Sequence, residues 1–375
     1  MKKVLFATTA LVASAGFAAA DITFSGNAEM GIVGGGKDAP GVSTYKGNGN
    51  DSTTEFNNDF TLTVVGSGQT DSGLSFGISV DFSTDAEPDA NGNVSLDNEA
   101  VFISGDFGTL TLGEIDGAVD KQLTEVNNAI GQYSIGDDET VHAGFQGSYG
   151  DGAYDNQILR YDYAFGDFGF SASMELNDDK ATTTTMDTVP GVPGGVKFDE
   201  VYNENNADNG YAFAISYKTE MGGANLGFGL GYQYLEAGIG GWAPGNIKTY
   251  GVAWDQGTEV DIIAATVSAD FNNGFTAGFE YSNYDPDVPT GSPYDNDIDH
   301  YALGLGYSVN ALSLGASYGK FDTKGADADG WALTAAYDLG GGASVVAGYS
   351  DSDINGAGVD NNDYETYSLG VVMNF

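Results

Sequence analysis

Leu159-Arg-Tyr-Asp-Tyr-Ala-Phe-Gly-Asp-Phe-Gly-Phe-Ser-Ala-Ser-Met-Glu-Leu176 is the stretch whose reading decides the fold. Leu159, Tyr161, Tyr163 and Phe165 alternate with Arg160, Asp162 and Ala164. After Gly166-Asp167 the pattern resumes, with Phe168, Phe170, Ala172, Met174 and Leu176 set against Ser171, Ser173 and Glu175. Period two over this length marks a strand with one apolar and one polar face. A Gly-Asp pair between two such runs marks a tight turn. From about 177 to 208 the chain is then polar, a connection of roughly thirty residues.

The same alternation extends in both directions. Ile22, Phe24, Ala28, Met30 and Ile32 share a face opposite Thr23, Ser25, Asn27 and Glu29, and Tyr301, Leu303, Leu305 and Tyr307 repeat the pattern far downstream. Strand centres fall near 28, 60, 78, 101, 111, 161, 172, 214, 230, 264, 279, 303, 316, 335, 347 and 369. Connections rich in Gly, Asn and Asp near 66–73, 105–109, 166–168, 219–223, 271–274, 309–311 and 339–342 alternate with long polar ones. Sixteen strands with this rhythm predict a transmembrane antiparallel β-barrel, short periplasmic turns on one rim and long external loops on the other. In hydrocarbon only helices and closed barrels satisfy their backbone hydrogen bonds, and no apolar run here is long enough for a spanning helix.

Aromatic residues recur at strand ends, among them Phe24, Phe82, Phe165, Phe168, Tyr217, Tyr234, Phe271, Tyr281, Tyr307 and Tyr349, as interfacial girdles require. A soluble β-sandwich gives no reason for that recurrence. The strand near 101 is the exception to clean alternation, because Val101, Phe102 and Ile103 are apolar on both faces; a subunit contact accounts for this.

Residues 1–20 read as a cleaved signal peptide: Lys2 and Lys3, an apolar run from Val4 to Phe17, and small residues Ala18 to Ala20. Residues 21–375 then form one domain. The chain has no cysteine, which excludes disulfides, thiol nucleophiles and thiolate metal sites. Asp and Glu number 54 against 12 Lys and Arg, which excludes nucleic acid as a partner. Disorder, the other reading of strong acidity, does not fit 21 Phe and 22 Tyr.

Tyr367, Leu369, Val371, Met373 and the terminal Phe375 alternate through the last nine residues, as in the C-terminal signal that the outer-membrane barrel-assembly machinery reads. With Asp21-Ile-Thr-Phe-Ser-Gly26, Gly105-Asp-Phe-Gly-Thr-Leu-Thr-Leu-Gly-Glu-Ile-Asp-Gly117 and Leu159-Arg-Tyr-Asp-Tyr163, these residues make the chain resemble the general porins of alphaproteobacteria, the Rhodobacter type. The resemblance implies a homotrimer in the outer membrane of a Gram-negative bacterium. It also implies contact with lipid and lipopolysaccharide, and passage of small hydrophilic solutes. Its third long loop would fold into the barrel and narrow it.

The stretch 114–156 is the candidate for that loop. Its alternation is weak, and Val119 to Ile130, with Leu123 and Val126, suits a short helical piece on the inner wall. Glu114, Asp116, Asp120, Lys121 and Glu125 are its candidate eyelet charges, with further acids at Asp137, Asp138 and Glu139. On the wall, alternation turns Arg160 inward together with Glu29, Asp59, Asp81, Asp162, Glu175, Asp270, Glu280 and Asp338; Lys218 and His300 also face inward. Porins of this type set an arginine-rich wall against an acidic loop. One arginine departs from that pattern and points to a net negative, cation-preferring pore. Arg160 serves equally well, on this reading, as a structural partner of Asp162 or of the loop.

External acids such as Asp295-Asn-Asp-Ile-Asp299, Asp327-Ala-Asp329 and Asp351-Ser-Asp-Ile-Asn-Gly356 suit weak Ca²⁺ or Mg²⁺ binding, with Asp351, Asp353 and Asn355 as ligands; no cofactor is required. The last run opens like an EF-hand, but position twelve is Asn362 and strands flank it. Enzymatic readings fail. No phosphate loop is present, and His142 and His300, the two histidines, lack a nucleophile motif and read as bystanders. Two alternatives to a general channel stay open: a substrate-specific channel, and a plugged structural or adhesive barrel.

Overall fold

The computed structural model describes residues 21–35, 54–84, 95–126, 135, 142–145, 149–151, 157–176, 180–188, 196–204, 209–237, 244, 254, 257–288, 296–356 and 359–375. Among the described residues eighteen strands and one short helix follow in chain order: β1 (Asp21–Gly35), β2 (Glu55–Gln69), β3 (Ser75–Thr84), β4 (Ser95–Gly105), β5 (Gly108–Glu114), α1 (Ala118–Gln122), β6 (Gln157–Phe165), β7 (Phe168–Glu175), β8 (Lys180–Thr188) and β9 (Val196–Glu204). The rest are β10 (Gly210–Met221), β11 (Ala224–Glu236), β12 (Glu259–Asp270), β13 (Phe275–Asp287), β14 (Ile298–Val309), β15 (Leu312–Thr323), β16 (Ala326–Gly340), β17 (Ala343–Gly356) and β18 (Val359–Asn374). Sixteen of these strands close one antiparallel barrel, and each of the sixteen expected centres falls inside its own strand.

Closure joins the two ends of the domain. β1 pairs with both β2 and β18, and Gly26 exchanges backbone hydrogen bonds with Phe375 at 2.8 and 3.0 Å. Tyr367, Leu369, Val371, Met373 and Phe375 all stand on one face of this last strand, with Leu369 and Phe375 exposed. No ladder edge is left in the sheet, as lipid demands.

Alternation sorts side chains as expected. Phe24, Ile78, Met174, Phe213, Leu230, Leu303 and Leu333 are exposed on the outer face, where lipid covers them. Phe165, Phe168, Tyr217 and Phe228 follow one another across β6, β7, β10 and β11 with ring centroids 5.4, 4.6 and 6.5 Å apart. Tyr211 and Tyr234 stack at 4.9 Å toward the opposite rim. These are the two girdles. The doubtful strand at 101 has a local explanation. Val101 and Ile103 face out, whereas Phe102 turns inward over Gly77, where an added Cβ would lie 2.8 Å from its ring.

Two expectations need correction. The polar connection after Glu175 contains a hairpin, β8–β9, which pairs Lys180 with Glu204 through Thr188 with Val196 and forms a sheet of its own. The acidic runs at 327–329 and 351–356 are not loops but the ends of β16 and β17. Strands of 15 and 14 residues exceed the roughly 9–11 that a membrane needs, so these hairpins project past the lipid. Asp329 pairs with Asp353 in that projecting ladder.

Candidate functional site

The inner wall carries small residues where a segment lies against it. Gly229 and Gly231 on β11 leave space that α1 fills: a Cβ at Gly231 would lie 2.9 Å from Val119 Cγ1, and one at Gly229 would lie 2.9 Å from Leu123 Cγ. Ala118, Val119, Leu123 and Tyr149 bury an apolar patch with Ala212, Ala214 and Ala264 of the wall. Polar bonds fix the register. Ala118 N–H donates to Ser173 Oγ at 2.9 Å, Gln122 Nε2 to Ser171 Oγ at 2.7 Å, and Thr124 N–H to Thr266 Oγ1 at 3.2 Å.

Beyond α1 the segment touches the wall again. Ile135 packs with Val33, Ala336 and Val346, its Cδ1 against the Gly31 and Gly370 backbones. Ala143 N–H donates to Ser352 Oγ at 3.0 Å, and Gly150 N–H donates to Gln233 Oε1 at 3.1 Å. Asp151 accepts from Gly117 N–H at 2.6 Å and from Gln233 Nε2 at 2.8 Å, tying the two ends of the segment together. Burial, followed by the charge of Asp120, drives the Asp151 carboxyl well above the usual carboxylate range, against the pull of those two hydrogen bonds.

The candidate charges separate into two groups. Lys121 is exposed on α1, and Glu114 and Asp116 are half-buried. Asp120 and Glu125 are buried. Arg160 is buried at the foot of the segment, where Nε meets Asp162 at 3.0 Å and NH1 donates to the Asp116 carbonyl. This favours the structural role for the chain's single arginine. Glu280 Oε2 accepts from Val126 N–H at 2.8 Å, so this wall acid anchors the segment.

Other wall residues are more scattered. Glu29 accepts from Asn57 Nδ2 at 3.4 Å and Asp81 from Asn98 Nδ2 at 2.9 Å; Glu29, Asp81 and Glu175 are all buried. Asp270 is exposed at the end of β12 and accepts from Asn272 N–H at 2.8 Å, capping the turn. Asp351, Asp353 and Asn355 lie along β17, where Asn355 Nδ2 donates to Asp353 at 2.9 Å. Among the described residues no group of three His, Asp or Glu is placed to hold a metal ion.

Sequence reasoning missed two features. An apolar cluster of Leu235, Trp254, Val260, Ile262, Tyr284, Ile298, Phe321 and Ile354 fills part of the lumen, with Ala143 among them. Inward-facing apolar residues near the loop ends of β11 to β17 were its signal. The two histidines also converge: His142 and His300 are both buried where the segment meets β14.

Comparison with known proteins agrees with this architecture. A family profile described as "Gram-negative porin" matches residues 7–372. A porin of Rhodobacter capsulatus is 25% identical over 351 residues, which cover 89% of this chain and 95% of that protein. A porin structure refined at 1.8 Å superposes with a TM-score of 0.59 at 23% identity, over 95% of this chain and 100% of that one. A double mutant of Rh. blastica porin gives 0.58 at 19% identity with the same coverage. The chain therefore belongs to the Gram-negative porins.

Proposed function

We propose that this porin is a cation-preferring general diffusion channel, with residues 114–156 as its constriction. One observation carries the preference: lumen-side carboxylates at Glu29, Asp59, Asp81, Asp162, Glu175 and Glu280 face a single wall arginine, and Asp162 and the Asp116 carbonyl engage it. A pore of one charge sign concentrates counter-ions and repels co-ions. The preference weakens as salt rises, because the Debye length falls from about 10 Å at 0.1 M to about 3 Å at 1 M. Solutes pass by size and charge, without a dedicated binding site.

Export through a cleaved leader at 1–20, insertion by the barrel-assembly machinery and a homotrimer complete the reading. The homotrimer rests on membership of the porin family. Clustered carboxylates in the projecting hairpins would hold Ca²⁺ or Mg²⁺ weakly, as counter-ions.

A second reading, a barrel plugged for structural or adhesive work, draws on the apolar cluster around Trp254. Single-channel recording of refolded protein in a planar bilayer separates the two. Stepwise conductance at neutral pH is expected; a silent bilayer with correctly folded barrel would favour the plug.

A further inference from the structure

The chain's two histidines lie 158 residues apart and meet at one place. Four residues of the lumen segment, 142–145, form a turn closed by the Phe145 N–H to His142 O bond at 2.9 Å. His300 on β14 bonds through Nε2 to Gly144 O at 3.0 Å, and Gly144 N–H donates to His142 Nδ1 at 3.2 Å. Both polar groups of one glycine are thus held by imidazoles. Gly144 lies so close to Gly319 that a Cβ on either would meet the other's backbone. His142 lies on Gly330, where a Cβ would be 2.8 Å from its Nδ1.

The geometry points to an acid-released latch: neutral His142 and His300 hold the 142–145 turn against β14–β17, and protonation frees that turn into the water path. The inference rests on the diffusion-channel reading. Its chemistry is simple. Nδ1 of His142 accepts the Gly144 N–H, and so holds the turn in the shape that fits against Gly319 and Gly330, only while it is deprotonated; an imidazolium presents a donor to a donor. The ring is also buried beside an apolar cluster, where a charge is costly.

Among the described residues, few titratable groups face this contact. Glu125 comes from the segment itself, Glu280 from β13 and His300 from β14, while Tyr318 of β15 points outward. Gly330 of β16 and Ser352 of β17 do not titrate. Glu280 is the nearest anion, 3.9 Å from His300 Nδ1, and it already accepts Val126 N–H. Burial first, and His300 second, hold His142 down at about 3. A released imidazole takes its proton near 6.5. The docked form is therefore fully favoured above 6.5 and loses ground as pH falls from 6.5 toward 3, by up to about tenfold per unit.

Planar-bilayer recording at pH 7.5 and pH 5.0 tests this. In the natural chain the ratio of closed to open time should rise about 30-fold between the two. His142→Asn with His300→Gln keeps an acceptor for Gly144 N–H and a donor for Gly144 O but cannot take a proton at either place, so its ratio should stay flat. As a second check, Ala143→Cys with Ser352→Cys, unique in a chain without cysteine, should abolish the rise when oxidised and restore it on reduction. An unchanged rise in the His142→Asn, His300→Gln double variant or in the oxidised pair, or no rise in the natural chain, overturns the latch while leaving an open channel intact. Absence of conductance at both pH values would defeat the diffusion reading and the latch with it.

Discussion

Arg160 bonds to the side chain of Asp162 and to the carbonyl of Asp116, and so fixes the point where the lumen segment leaves the wall. Replacing it with Met should cost about 3 kcal/mol, since breaking a buried pair leaves Asp162 without its partner charge. Urea titration of barrel unfolding measures that loss. Lys121, exposed on α1, is the opposite case. Lys121→Glu should leave stability within about 0.5 kcal/mol and shift the reversal potential further toward cations; no shift would remove α1 from the eyelet. Alternation placed Arg160 and Asp162 on one inward face, but sequence could not choose between lining and structure. The bond to the Asp116 carbonyl bears on that choice, and no side-chain pattern encodes a backbone partner. The histidines were illegible for a related reason: each is isolated along the chain, and only closure of the barrel brings them together.

Among the elements, α1 tests how the segment is held. Its five residues are too few to be stable as a helix alone, so packing on Gly229 and Gly231 must supply the rest. Gly231→Val should crowd Val119 off the wall, destabilise the barrel by about 1–3 kcal/mol and alter single-channel conductance. Unaltered conductance with lowered stability would separate α1 from the pore. The sixteen barrel strands were legible because lipid on one side and lumen on the other impose a strict alternation. β8 and β9 were not. Thr182 to Thr185 supply β-branched residues without polarity contrast, so pairing with Asp199 to Tyr202 creates strands that periodicity does not announce. The projecting ends of β16 and β17 escaped for the same reason, since acids outside the membrane look like loop.

Seen as a whole, the molecule combines a porin barrel with an acid excess of 54 over 12, a single arginine and an apolar cluster inside the lumen. Family membership makes it a diffusion channel. Charge is what distinguishes it, and the lumen-side carboxylates carry the account of selectivity. Reversal potential across a planar bilayer under a KCl gradient, with refolded residues 21–375, tests that account most directly. A cation-directed potential that shrinks as total salt is raised from about 0.1 to 1 M is the predicted result. An anion-directed potential would contradict it, and would put Lys121 and Arg160, not the carboxylates, in control of the pore.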